Sequence, residues 1–279
     1  MKRIALAVAV SSLLASACGP GVWGDPSTSH DEAISCAGRI AGMACIAGGT
    51  FMMGSEGAPA ALPIHQVTVR PFHMDLYEVT VAQYGDCVSA GGCTEAGQDN
   101  DCNYAVPARA DHPINCVDWV QAAAFCDWSG KRLPTEEEWE YAARNRGKST
   151  YPWGDAPPEA SWVNFCGDEC TGSPSRWGED GFPRTAPVGS FSKGDTADML
   201  GDMAGNLWEW VDTRYCDYPS SPCNSCPAAM TCVSPCADCS SPLHGIRGAS
   251  WAESWTSAIF QLRGSGILGT RYIGFRCAR

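Results

Sequence analysis

The chain has 279 residues, 44% of them hydrophobic and 18% charged, enough apolar material to bury a sizeable core as one domain or two. Its formal charge of −12 gives a surface that repels phosphate, which argues against nucleic acid as a partner and suits cations. Thirty glycines and 11 tryptophans suit a turn-rich fold in which large rings do the packing that long helices do elsewhere.

The first segment, MKRIALAVAVSSLLASACGP, joins a basic start at Lys2 and Arg3 to an apolar stretch from Ile4 to Leu14 and the small residues Ala15, Ser16 and Ala17. This is the order of an export signal over residues 1–17, too short to span a membrane with polar flanks. Cleavage would leave Cys18 at the new N-terminus, the position that bacterial lipoproteins lipidate, although Leu14 sits one place further back than usual. Parity favours this reading. Of 17 cysteines, a lipidated Cys18 leaves an even number for disulfides, at a density expected in an oxidising compartment. The expected location is the cell envelope, lipid-anchored on the periplasmic or surface side; an ordinary secreted protein with the same cut is the alternative. Residues 18–35 then form a flexible tether, and 36–279 a folded domain.

Within that domain, 43–55 reads as strand and turn, and HQVTVRPFHMDLYEVT predicts strands at Gln66–Val69 and Phe72–Tyr77. Three helix starts follow, each resembling a capping box: Thr80 with Gln83, Asp118 with Gln121, and Thr135 with Glu138. Glu136, Glu137 and Glu138 suit a helix N-terminus by their charge and need no catalytic role. Beyond Arg146 the helical signal stops in favour of long loops rich in Gly, Pro, Asp and Trp, until RYIGFRCAR regains strand character. The fold class is α+β with little regular structure. Residues 216–239 hold six cysteines and almost no large apolar residues. Cys223 with Cys226 and Cys236 with Cys239 have zinc-ligand spacing, but outside the cytosol disulfides are the better expectation. Local spacing suggests the pairs Cys36–Cys45, Cys87–Cys93, Cys102–Cys116 and Cys166–Cys170.

At GKRLPTEEEWEYAAR (130–144) and DMAGNLWEW (202–210) the chain resembles the formylglycine-generating enzyme, or sulfatase-modifying factor, family. GGTFMMGS, YEVTVAQY, YPWGD, TAPVGSF, RGASW and GFRCAR support the resemblance, in family order, across 43–279 apart from the cysteine-rich insert. It implies a C-type-lectin-like variant fold and a disulfide matching Cys126 and Cys277. It also implies two structural calcium sites. The first matches Asn164, the Phe165 carbonyl, Asp180 and the Phe182 carbonyl. The second matches Asp202, the Gly205 and Leu207 carbonyls, and Glu209. Carboxylates and bent backbone are the hard oxygen donors that calcium takes.

Active members of the family bind copper(I) through two cysteines that follow this arginine–glycine lead-in, and one of the pair captures the substrate cysteine. Here Arg247, Gly248, Ala249, Ser250 and Trp251 match the lead-in, but the cysteine positions fall on Glu253 and Ala258, and no cysteine lies between Cys239 and Cys277. Copper(I) needs soft thiolates, so no copper is expected. None of the five histidines lies in an HExxH motif, and no GxSxG or nucleotide fingerprint is present; His65 and His73 read as structural or surface residues. The leading expectation is a non-catalytic exported lipoprotein that binds an extracytoplasmic peptide or protein through the former substrate groove. A family oxidoreductase using other residues around Glu253 and Ser250, and a purely structural envelope protein, are the alternatives.

Overall fold

A computed structural model describes residues 38–99, 101–168, 178–215, 218, 243–253, 263–266 and 268–279. The export signal, Cys18, the tether, Cys36, Cys170, the insert 216–239 (Tyr218 apart) and Ala258 lie outside the described residues. The three capping boxes set the helices. Thr80, Asp118 and Thr135 each accept the backbone N–H three residues on, and Gln83, Gln121 and Glu138 reach back to the cap N–H. They open α1 (Val81–Ser89), α2 (Trp119–Trp128) and α3 (Glu136–Ala143). Each cap contributes about 1 kcal/mol.

The strands are short. β1 (Met43–Ile46) pairs antiparallel with β4 (Phe72–Asp75), with Met43 opposite Asp75. β2 (Gly49–Met53) pairs antiparallel with β3 (His65–Val69), with Gly49 opposite Val69. A third sheet runs β7-β6-β5-β8, built from β5 (Trp208–Arg214), β6 (His244–Arg247), β7 (Arg263–Gly266) and β8 (Ile273–Gly274). β5 and β8 are parallel; the other pairs in this sheet are antiparallel. The strand expected over Phe72–Tyr77 ends at Asp75, and that expected in RYIGFRCAR shrinks to Ile273–Gly274. The reason is that Phe275, Cys277 and Arg279 give their carbonyls to Val79, Asp75 and His73, so the chain end is laced to a neighbouring segment without a regular ladder.

The core has two main parts. In one, Trp139, Tyr141 and Ala142 of α3 pack on β1–β4 side chains such as Ile46, Phe51 and Val67. In the other, Tyr84 of α1 and Phe125 of α2 meet Trp210, Ile246 and Phe275 of the four-stranded sheet. Disulfides Cys87–Cys93, Cys102–Cys116 and Cys126–Cys277 are formed, and Cys45 and Cys166 are also disulfide-bonded. The expected α+β mixture of small helices and sheets is what the domain shows. No helix among the described residues is long and apolar enough to cross a membrane.

Candidate functional site

The loop after β6 carries the lead-in residues. Arg247 does not face a groove. It is fully buried, donating through Nε to Glu136 at 3.0 Å and through Nη2 to Glu140 at 2.8 Å and to the Tyr218 hydroxyl at 2.8 Å. Glu140 also accepts from Arg144 at 2.9 Å and from the Gly54 N–H at 2.9 Å. The charge of the α3 N-terminus therefore does more than the helix dipole requires. Glu136 is the buried counter-ion of Arg247, while Glu138 caps the helix and pairs with Arg132 at 2.6 Å. Burial pushes the Glu137 carboxyl above its ordinary range, and the neighbouring Glu136 adds to the shift.

Ser250 and Trp251 follow in a tight turn, both buried. The Glu253 carboxylate closes that turn. One oxygen accepts the Ser250 N–H at 2.8 Å and the Ser250 hydroxyl; the other accepts the Trp208 indole N–H at 2.9 Å. The Glu253 main chain accepts the Cys166 N–H at 2.9 Å and donates to Ser250 at 3.1 Å. Both carboxylate oxygens thus meet protein donors, and the group ties β5, the 250–253 turn and the Cys166 loop together. The Trp251 ring lies 5.4 Å from Tyr272. Tyr272 lines a groove of about 660 Å³ with Gln98, Asp99, Asp101, Thr270 and Arg271. Asp101 anchors one wall, with Arg184 at 2.7 Å and Arg271 at 2.5 Å.

The loops expected to hold cations meet behind this turn. Asn164 and Gly205 form a parallel bridge, and the Asn206 N–H donates to the Asn164 carbonyl at 2.9 Å. Asp180 accepts the backbone N–H groups of Phe165 and Phe182, each at 2.8 Å, which draws the four residues of the first expected site together. Asn164 is 1% exposed, yet its Oδ1 has no hydrogen-bond partner. An orphaned buried carbonyl oxygen fits a hard cation.

The second expected site is arranged differently. Glu209 is fully buried and bidentate with Arg276, at 2.8 Å to Nε and 2.7 Å to Nη2, and it accepts the Trp139 indole N–H at 2.8 Å. It is already neutralised and does not fit as a free ligand. Asp202 has a left-handed φ of +57° and accepts the Gly189 N–H at 2.7 Å; burial pushes its carboxyl up to about 6. Gly205 has no room for a side chain, since a Cβ would stand 2.0 Å from the Asn164 carbonyl oxygen. Glu78, missed in the sequence, is 2% exposed and accepts Asn206 Nδ2 at 2.7 Å and the Leu207 N–H at 3.1 Å. Burial, Asp202 and Glu209 together raise its carboxyl well above the ordinary range. An acid interrupting the apolar run around Tyr77 and Val79 was the signal available. Among the described residues, no three His, Cys, Asp or Glu side chains converge as a metal-holding group, so any cation here relies on carbonyl and amide oxygens.

The class defined so far is a loop-built α+β domain, pinned by disulfides and two buried arginines around acid-rich turns. The family model described as sulfatase-modifying factor enzyme 1-like domain matches residues 30–279, and the chain belongs to that family. It is 33% identical over 231 residues to the formylglycine-generating enzyme of Mycobacterium tuberculosis, covering 63% of this chain and 77% of that protein. It is 29% identical over 292 aligned positions to the inactive C-alpha-formylglycine-generating enzyme 2 of Bos taurus, covering 86% and 89%. The structure of PvdO from Pseudomonas aeruginosa superposes with a TM-score of 0.67 at 28% identity, covering 85% of this chain and 93% of that one.

Proposed function

We propose that this protein is a non-catalytic member of its family that binds an extracytoplasmic peptide or protein through the groove beside Trp251 and Tyr272. The observation that carries this reading is Glu253. It stands where the resemblance places the first copper-binding cysteine, and its oxygens are committed to Ser250 and Trp208. A hard carboxylate already engaged by three protein donors does not offer copper(I) the soft thiolate it needs. The inactive bovine relative, aligned over most of its length, supports the same reading. The test is to incubate the full chain with copper and a peptide containing Cys-x-Pro-x-Arg, and to follow the thiol by mass spectrometry. The thiol is expected to survive; an aldehyde in its place overturns the proposal.

The finer features belong to the same reading. The fold is a C-type-lectin-like variant. Calcium is held at the first site by Asn164, Phe165, Asp180 and Phe182, where the orphaned Asn164 Oδ1 supports it. At the second site a cation faces Asp202 and the Gly205 and Leu207 carbonyls, with Glu78 behind them and Glu209 held back by Arg276. Calcium here braces loops. The chain is exported and held to the membrane by lipid on Cys18. Replacing Cys18 by Ser should move it from the membrane to the soluble fraction, and retention of the variant on the membrane refutes the anchor.

A further inference from the structure

A second cavity, of about 390 Å³, opens between the end of β4, α1 and the C-terminal end of α2, and it shares no residue with the groove beside Trp251. We propose that it binds an organic cation, a primary ammonium or guanidinium carried on a short aliphatic stem.

Three observations point there. The wall already stabilises one such group: Lys131 Nζ lies 2.6 Å from Asp75 Oδ1, with side chains only 25% and 12% exposed. Asp75 Oδ2 accepts the Cys277 N–H at 3.0 Å, so this carboxylate is fixed in place. The cavity is next lined by packed aromatic rings. Trp128 is 44% exposed, yet a Cβ on Gly92 would stand 2.3 Å from its indole, so the ring lies flush against that backbone. Phe125 is 5.8 Å from it, tilted by 49°. Tyr77, also in the wall, fits where Gly189 and Gly201 lack side chains, with Cβ approaches of 2.9 and 2.6 Å. A fixed, half-exposed ring face attracts cations, and it adds a surface on which an alkyl stem can lie.

The third observation is charge. Asp86 on α1 is exposed at the cavity and has no ion-pair partner among the described residues. Glu78 also lines the cavity, and with Asp202 and Glu209 it faces the guanidinium of Arg276. In the lining itself Lys131 is matched by Asp75, and Asp86 leaves an exposed acid beside the rings. These acids stand on different elements and do not converge on one point. A ligand with charge at one end and an apolar stem fits the arrangement better than a bare metal ion.

The test is calorimetric titration of the full chain in saturating calcium, so that the loop sites are not available to the probe. The probes are butylammonium, Nα-acetyl-lysine methylamide and neutral 1-butanol. Saturable binding of a cationic probe is expected, with none for 1-butanol. Trp128→Ala and Asp86→Asn should each weaken it by roughly three- to tenfold, being exposed positions that leave the fold intact, while Leu268→Ala leaves it unchanged. Tighter binding of the capped lysine assigns the cavity to a side chain of a protein partner; tighter binding of butylammonium assigns it to free amines. No saturable cation binding, equal binding of 1-butanol, or indifference to both cavity substitutions overturns the proposal.

Discussion

Two arginines are fully buried in this domain, and their surroundings differ in charge. Arg247 meets Glu136 and Glu140, Arg144 adds a second cation on Glu140, and Glu137 is the third acid beside them. Arg276 meets Glu209 directly, but Glu78 and Asp202 are buried nearby with no further cation among the described residues, and Asp195 stands beside them. The first cluster has two cations against three acids. The second carries surplus acid, and such a surplus persists in a fold only when something offsets it or when protons neutralise it. The difference is one of degree: the second cluster sets one cation against three acids and is the more acidic of the two.

The largest test of this contrast is removal of the second arginine. Arg276→Met leaves three buried carboxylates unopposed and should cost roughly 3–5 kcal/mol of unfolding free energy. Arg247→Met should cost less, because Arg144 still faces Glu140. Equal losses in urea denaturation would erase the distinction. Next in size is cation removal. If calcium is a folding ligand present at about 100 times its dissociation constant, chelation lowers stability by about 3 kcal/mol and the melting temperature by several degrees. Asn164→Ala should abolish most of that response.

A smaller effect is set by pH. Asp202 titrates near 6 in the fold against 3.8 as its ordinary value, so folding takes up a proton between these limits. The sign follows: this contribution is complete below about pH 4 and lost as the pH rises through 6. In chelator, Asp202 should therefore contribute a gain of about 1.3 kcal/mol from pH 7 to 5, and the total gain should shrink by that much in Asp202→Asn, as read by thermal melts at the two pH values. Asn keeps the left-handed backbone at low cost. With calcium bound the slope should flatten, because the ion holds the carboxylate ionised. The smallest effect concerns the turn beside the groove. Ser250→Ala removes one donor to Glu253 and should cost about 1 kcal/mol with the fold retained, measured by urea melts.

Much of this was legible in one dimension. The capping boxes gave all three helices because their signal lies within four residues. Cys87–Cys93 and Cys102–Cys116 followed from local spacing, and Cys126–Cys277 from the family resemblance, since its partners are 151 residues apart. The role of Glu136 was not legible, because its counter-ion is 111 residues away, nor was Glu78, whose partner Leu207 is 129 residues away. Glu209 shows the limit most clearly. The family resemblance of DMAGNLWEW implies a cation ligand there, and only the fold shows that Arg276 pairs with it. Charge patterns report which residues are acidic, but a buried acid is defined by what lies across the core.

The last few residues of the chain have one more consequence. Arg276 neutralises Glu209, Cys277 bonds to Cys126, and Ala278 exchanges hydrogen bonds with Arg132. One tripeptide therefore staples α2, β5 and the segment before α3 together, and its disulfide alone closes a loop across 151 residues of sequence, which restricts the unfolded chain more than either short-range disulfide does.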